Sequence, residues 1–328
     1  VSPSTAGEGR PAGGPGLALA VLGAGTMGHG IAQVMALAGH RVRLYDPSPE
    51  ALAAAESRVA QGLALLESAG LVAAGDARRA QKRLSCHGEL AEACRGAELV
   101  LESVPEEMEL KRRLYAEVEG MVGDEALICT NTSALAISEL AAGLRRPERF
   151  VGTHFWNPAQ IMPCVEVVKG RLTSERTFQR AAELMAAAGK EPVRVLRDVP
   201  GFLGNRLQHA LQREALYLVE EGIASAEDVD RVVKHGFGLR LALMGPLERA
   251  DLGGLDVTCR VQRYLLPDLD RRTGASPLLE ERVASGRLGV KTGGGFFDWP
   301  PERAARAVAQ RDRALLALIR LQEEYSSA

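Results

Sequence analysis

As far as residue 197, short apolar runs alternate with segments whose hydrophobic positions recur every three or four residues, which predicts strands alternating with helices. The run LALAVL at 17–22 reads as a strand, residues 29–38 as a helix closed by Gly39, and RVRLY at 41–45 as a second strand ending at Asp46. A long helix is expected over 49–69. ELVLESV at 98–104 reads as a buried strand, and PEEMELK at 105–111 opens the next helix. ALICT at 126–130 is a further strand, followed by the polar NTS at 131–133. RFVG at 149–152 is strand-like, CVEVV at 164–168 is a β-branched run, 170–189 reads as a helix and PVRVL at 192–196 as a short last strand. DVPGF at 198–202 then breaks the alternation. Beyond it the pattern is helical: 205–221, a helix N-capped by Ser225 that runs to His235, and further helices near 246–266, 276–286 and 302–324. The expected architecture is an α/β domain over 17–197 followed by an all-α domain over 198–328.

Between the first strand and the first helix stands GAGTMG, residues 23–28. In strand–turn–helix–strand order each glycine has a steric task. Gly23 permits the tight turn, Gly25 lets a pyrophosphate approach the backbone, and Gly28 allows close packing of the helix. Thr26 and Met27 complete the turn, and the helix N-terminus offers free N–H groups to phosphate. Asp46 at the end of the second strand is placed to accept hydrogen bonds from ribose hydroxyls. Its charge would repel a 2′-phosphate, which favours NAD over NADP.

The segment GTHFWNPAQIMPCVEVV, 152–168, carries the candidate chemistry. It sets His154 in a polar turn just past the strand-like residues and, twelve positions on, Glu166 inside the β-branched run. Imidazole is the side chain whose ordinary titration lies near neutrality, and a carboxylate beside it favours the charged ring. Such a pair suits the proton that leaves an alcohol together with a hydride. Glu106 and Lys111 are open to two readings, as site residues or as a helix-surface pair; Asn131 and Ser133 are equally open to reading as a helix cap.

Composition narrows the partners. A formal charge of −2 gives no bulk attraction for nucleic acid or an anionic membrane, and no apolar run has the length of a membrane span. The five cysteines are dispersed without metal-ligand spacing, which fits reduced thiols in a cytoplasmic protein and no metal site. Residues 1–16, rich in Gly, Pro and Ser, read as a disordered tail. The glycines at 293–295 lack the lysine and hydroxyl of a phosphate loop and read as a loop against the site. A small all-α domain with a long apolar-faced helix predicts a homodimer.

With the His154–Glu166 pair, the glycine turn and DVPGFLGNR at 198–206 in view, the chain resembles the L-3-hydroxyacyl-CoA dehydrogenase family from about 17 to 299. The resemblance implies a Rossmann-type doubly wound sheet domain, an all-α dimerisation domain, and NAD-linked oxidation of a 3-hydroxyl to a 3-keto group. It implies that His154 is the general base, Glu166 its orienting partner, and Ser133 a hydrogen-bond donor to the substrate oxygen, with Asn157 and Asn205 completing the polar shell. Glu106, Lys111, Asn131 and Lys291 match positions that line the nicotinamide and its ribose. The chain departs from the short-chain acyl-CoA enzymes in the helix after the second strand, which is lysine-rich there and here holds Arg58 as its basic residue. VPEEMELK at 104–111, NRLQ at 205–208, LVEEGI at 218–223 and GPLE at 245–248 are similar to the λ-crystallin/L-gulonate 3-dehydrogenase branch, which acts on free 3-hydroxy acids. THFWNP at 153–158 and KTGGGFFD at 291–298 are closer to the acyl-CoA type. The small-molecule substrate is thus expected to be an acyl-CoA, with a free or carrier-bound hydroxy acid as the alternative. A non-catalytic NAD-binding structural protein is a third reading.

Overall fold

A computed structural model of the chain describes residues 16–326; the expected N-terminal tail, Gly16 apart, lies outside the described residues. The described residues form two compact units, one ending at Arg206 and the other starting at Leu207.

The first unit is built on an eight-stranded sheet: β1 (Ala18–Leu22), β2 (Arg41–Tyr45), β3 (Leu84–His87), β4 (Leu99–Glu102), β5 (Leu127–Thr130), β6 (Phe150–Phe155), β7 (Cys164–Val168) and β8 (Glu191–Val195). Its order is β3-β2-β1-β4-β5-β6-β7-β8, parallel except where β7 runs antiparallel to β6. The order reverses direction at β1, which pairs with β2 on one side and β4 on the other. Ligands of open α/β sheets sit outside the strand ends at such a point.

Helices α1 (Gly28–Leu37), α2 (Pro49–Ser68), α3 (Ala74–Lys82), α4 (Leu90–Cys94), α5 (Met108–Met121), α6 (Ile137–Leu140) and α7 (Glu175–Ala187) cover the two faces. Alternation along β1 shows why both faces are apolar. Leu19 and Val21 enter a core with α1, α2, α3 and α7, whereas Ala20 and Leu22 enter a second core with residues of α4, α5 and α6. The doubly wound sheet domain is therefore as the sequence pattern predicts.

Two details differ from the sequence reading. His154 is not in a turn: β6 continues to Phe155 because Thr153 and His154 pair with Val167 and Glu166 of β7. The helix expected from 170 begins at Glu175, where the Ser174 side chain caps it by accepting the Thr177 N–H.

Helix α8 (Gly204–Glu220) begins at the end of the first unit. The second unit carries α9 (Ala226–His235), α10 (Phe237–Leu241), α11 (Pro246–Gly253), α12 (Leu255–Leu265), α13 (Pro277–Ala284) and α14 (Pro301–Ser326). Ser225 caps α9, as its sequence predicts. The helix expected over 246–266 is two, broken at Gly254, whose φ of 88° suits glycine and ends α11. Among the described residues no helix is long and apolar enough to cross a membrane.

Candidate active site

The glycine turn joins β1 to α1. Gly23 has φ 97°, and a Cβ there would lie 2.6 Å from the Ser103 carbonyl oxygen at the end of β4. A Cβ on Gly28 would lie 1.7 Å from the Gly23 carbonyl oxygen, so this glycine lets the turn close on itself. Gly25 differs, because nothing lies within 4 Å of its Cβ position and its backbone faces open space. Thr26 is exposed, and half-buried Met27 packs on the core. No side chain caps the N-terminus of α1, which leaves its first N–H groups available to an anion. Asp46 accepts the Ala24 N–H at 2.9 Å on one oxygen and the Ser48 N–H at 3.0 Å on the other. Each oxygen keeps a further lone pair for a ribose hydroxyl. An open glycine, an uncapped helix start and an acid at the second strand end together fit a dinucleotide.

His154 and Glu166 are direct cross-strand partners, so their side chains share one face of the sheet. Both are buried, and His154 Nδ1–H donates to Glu166 Oε2 at 2.8 Å. The other carboxylate oxygen accepts the Leu203 N–H at 2.9 Å and the Gly204 N–H at 3.0 Å, where α8 starts. Burial alone would raise the Glu166 carboxyl; the hydrogen bonds from His154, Gly204 and Leu203 outweigh it and hold it below the usual range. An ionised Glu166 can only accept, so Nδ1 carries a proton, and in the neutral form of the ring Nε2 is then the acceptor. The Trp156 and Phe202 rings flank the imidazole at 5.4 Å and 5.9 Å. Phe202 is fully buried at φ 49°, a left-handed conformation that follows Gly201. Two residues before Glu166, burial and that carboxylate push the Cys164 thiol up to about 11, which leaves it protonated and unreactive.

A second polar group lies at the ends of β4 and β5. Glu106 Oε1 accepts from Thr132 Oγ1, from the Ser133 N–H at 2.8 Å and from the Ala134 N–H at 3.1 Å. Burial pushes the Glu106 carboxyl up, but Thr132, Lys111 and the two N–H groups bring it below its ordinary value. The Ser133 carbonyl accepts Asn205 Nδ2–H at 2.9 Å, while Asn131 Oδ1 accepts the Phe155 N–H at 2.8 Å and ties β5 to the end of β6. Lys111 is buried, with its ammonium 2.6 Å from Glu102 Oε1 and 3.4 Å from Glu106 Oε2. It is therefore not a helix-surface residue. Asn157 is exposed in the β6–β7 connection, ahead of a cis Asn157–Pro158 bond. Lys291 is exposed on a single 3₁₀ turn of the second unit.

Two residues of this region escaped the sequence reading. Glu102 ends the apolar run of β4, and an acid there is the signal that marks it. His29 directly follows the glycine motif, and its Nδ1–H donates to the Gly25 carbonyl at 2.9 Å. Burial pushes its pKa down, so the ring is neutral and braces the turn.

The sheet, the glycine turn and the acid at the end of β2 define a dinucleotide-binding domain, and the family match makes the chain an NAD-dependent oxidoreductase. The chain matches the 3-hydroxyacyl-CoA dehydrogenase NAD binding domain over residues 18–199 and the C-terminal domain of the same enzymes over 201–299. It belongs to the 3-hydroxyacyl-CoA dehydrogenase family. It is 36% identical over 305 residues to the 5-formyl-3-hydroxy-2-methylpyridine 4-carboxylate 5-dehydrogenase of Mesorhizobium japonicum, covering 93% of this chain and 98% of that one. It is 39% identical over 280 residues to a probable 3-hydroxybutyryl-CoA dehydrogenase of Bacillus subtilis, covering 85% and 96%. A crystal structure of a 5-formyl-3-hydroxy-2-methylpyridine 4-carboxylic acid 5-dehydrogenase, described as an NAD⁺-dependent dismutase, superposes with a TM-score of 0.88 at 36% identity over 93% of this chain and 98% of that one.

Proposed function

We propose that the chain oxidises the 3-hydroxyl of an L-3-hydroxyacyl-CoA to the ketone, reversibly, with His154 as general base and Glu166 as its orienting partner. The observation that carries this reading is the buried cross-strand pair, with Nε2 of His154 left as an acceptor by the 2.8 Å bond at Nδ1. NAD, when bound, supplies the hydride acceptor. His154 takes the hydroxyl proton at Nε2, and Glu166 balances the imidazolium that results. In the reverse direction the same imidazolium returns the proton to the alkoxide. Ser133 and the asparagines Asn157 and Asn205 hold the substrate oxygen, Glu106 and Asn131 belong to the nicotinamide side of the site, and Lys111, buried against Glu102 and Glu106, supports Glu106 from behind without touching the cofactor. Residues 17–197 carry the cofactor, and residues 198–328 carry dimerisation.

A second reading, a small free carboxylic acid as substrate, is favoured by one feature. The twenty residues of α2 hold a single basic side chain, Arg58, where CoA phosphates would call for several. The pyridine carboxylate in the name of the Mesorhizobium relative is a substrate of this kind.

The partner is a second copy of the chain. Among the described residues, the exposed large hydrophobic side chains other than Met121, Leu172, Leu196 and Leu203 lie beyond residue 206, and exposed apolar side chains gathered in one unit support a covering partner. The five free cysteines support a cytoplasmic setting.

One screen tests the function: NADH oxidation with acetoacetyl-CoA, beside NAD⁺ reduction with 3-hydroxybutyrate, L-gulonate and carnitine. Turnover of acetoacetyl-CoA is expected, and turnover of free acids alone rejects the acyl-CoA reading. His154→Gln should lower kcat by about 10²–10⁴-fold while NADH still binds. Undiminished turnover by that variant removes His154 from the mechanism.

A further inference from the structure

Glu102 is fully buried at the end of β4, yet donors from three segments meet on its carboxylate. Oε1 accepts the Val104 N–H and Lys111 Nζ–H, each at 2.6 Å. Oε2 accepts the Tyr115 hydroxyl and, at 2.8 Å, the Thr130 hydroxyl. The group thereby joins the loop after β4, two turns of α5 and the end of β5. Lys111 is 1% exposed and gives a second bond to the Val104 carbonyl at 3.3 Å. Glu106 Oε2 lies 3.4 Å from the same ammonium, an ion pair. Glu106 is thus shared between the buried ammonium on one oxygen and the 132–134 turn on the other.

We infer that Glu102 is a positioning residue: it holds Lys111 in the core so that Glu106 stays on the 132–134 turn, which fixes Ser133 and the carbonyl that receives Asn205. The inference rests on the role proposed for Ser133. Its physical basis is a competition. A buried ammonium needs an ionised partner, because an unpaired one carries a large desolvation cost. With Glu102 present that partner is internal. Without the Glu102 charge, Glu106 is the nearest carboxylate, and the ammonium draws it from the three donors of the turn. Displacement of a substrate-orienting group by about 1 Å costs up to roughly 10²-fold in turnover.

E102Q keeps the shape and removes the charge. The amide oxygen still accepts from Val104 and Lys111, and the amide N–H groups donate to the Tyr115 and Thr130 oxygens. Amide hydrogen exchange at Ser133 and Ala134 should be faster in E102Q than in wild type, and kcat at saturating NAD should fall by about 10–10²-fold. Adding K111M removes the competing ammonium, so E102Q/K111M should regain protection at both amides and part of the lost kcat. Buried pairs replaced together leave no unpaired charge, so this double variant folds even where E102Q does not, and is then compared with K111M alone. Unchanged exchange at Ser133 and Ala134 in E102Q, or a double variant with an unprotected turn, overturns the inference. A wild-type enzyme inactive on every 3-hydroxy substrate would defeat the functional reading, and the exchange comparison would still decide the positioning role.

Discussion

Glu166 is ionised against its own burial because three donors converge on it: the His154 ring and the Leu203 and Gly204 amides. The consequence for stability has a definite sign. Its carboxyl is held below the usual range in the folded chain, whereas in the unfolded chain a glutamate titrates near ~4.3. Above that range both states are ionised and the donors contribute in full. As pH falls below it, the unfolded chain takes up the proton first, and the contribution is lost as pH passes through the folded value. Glu166→Gln lacks this titration. Wild type should therefore melt above E166Q throughout the neutral range, and the gap should narrow below about pH 4. Melting curves of both proteins at several pH values check this; a gap that stays constant into strong acid would show that the carboxylate is not what the donors stabilise.

Among the elements, the start of α8 matters most to the pair, since its first N–H groups end on Glu166. Gly204 is needed there: a Cβ would lie 2.0 Å from the Trp156 ring, which itself stands beside His154. Gly204→Ala must push the indole or the helix start aside, and overpacking of this kind costs about 1–3 kcal/mol. The expected result is a lower melting temperature with a larger loss in kcat than in NADH affinity. Equal kcat would place the strain away from the pair. What the sequence could reveal of these elements follows the range of the interactions. β1, α1 and β2 were legible because an apolar run, a glycine turn and a helical period are local. The α9 start at Ser225 was legible for the same reason. Thr153 and His154 looked like a turn because they are polar, and only the pairing of β6 with β7 keeps them in a strand. The split at Gly254 hides inside a continuous helical period. In the sequence Glu102 reads as part of a buried strand, because its partners Val104, Lys111, Tyr115 and Thr130 meet it only in the folded chain.

For the whole molecule, the contrast between the two units bears on assembly. Both hydrophobic clusters lie within the first unit, between Leu19 and Phe202. In the second, Val229, Ala304 and Leu316 are the buried hydrophobic side chains among the described residues, and none of the 17 residues of α8 is buried. Amphipathic helices gain most of their stability from burying an apolar face. Helices that expose Leu247 at 82% and Tyr264 at 89% have that gain still to come, and in the proposed dimer a second copy presenting the same helices would supply it through a self-complementary contact. Folding of this unit and dimerisation are then one event, and the melting temperature should rise with protein concentration. Leu247→Lys combined with Tyr264→Lys separates this from an ordinary monomer surface, where such changes stay within about 0.5 kcal/mol. The expected outcome is a wild-type dimer in sedimentation and a double variant that dissociates and melts lower. A wild type that sediments as a monomer, with a melting temperature independent of concentration, would mean that the second unit is stable alone and that its exposed apolar face has another use.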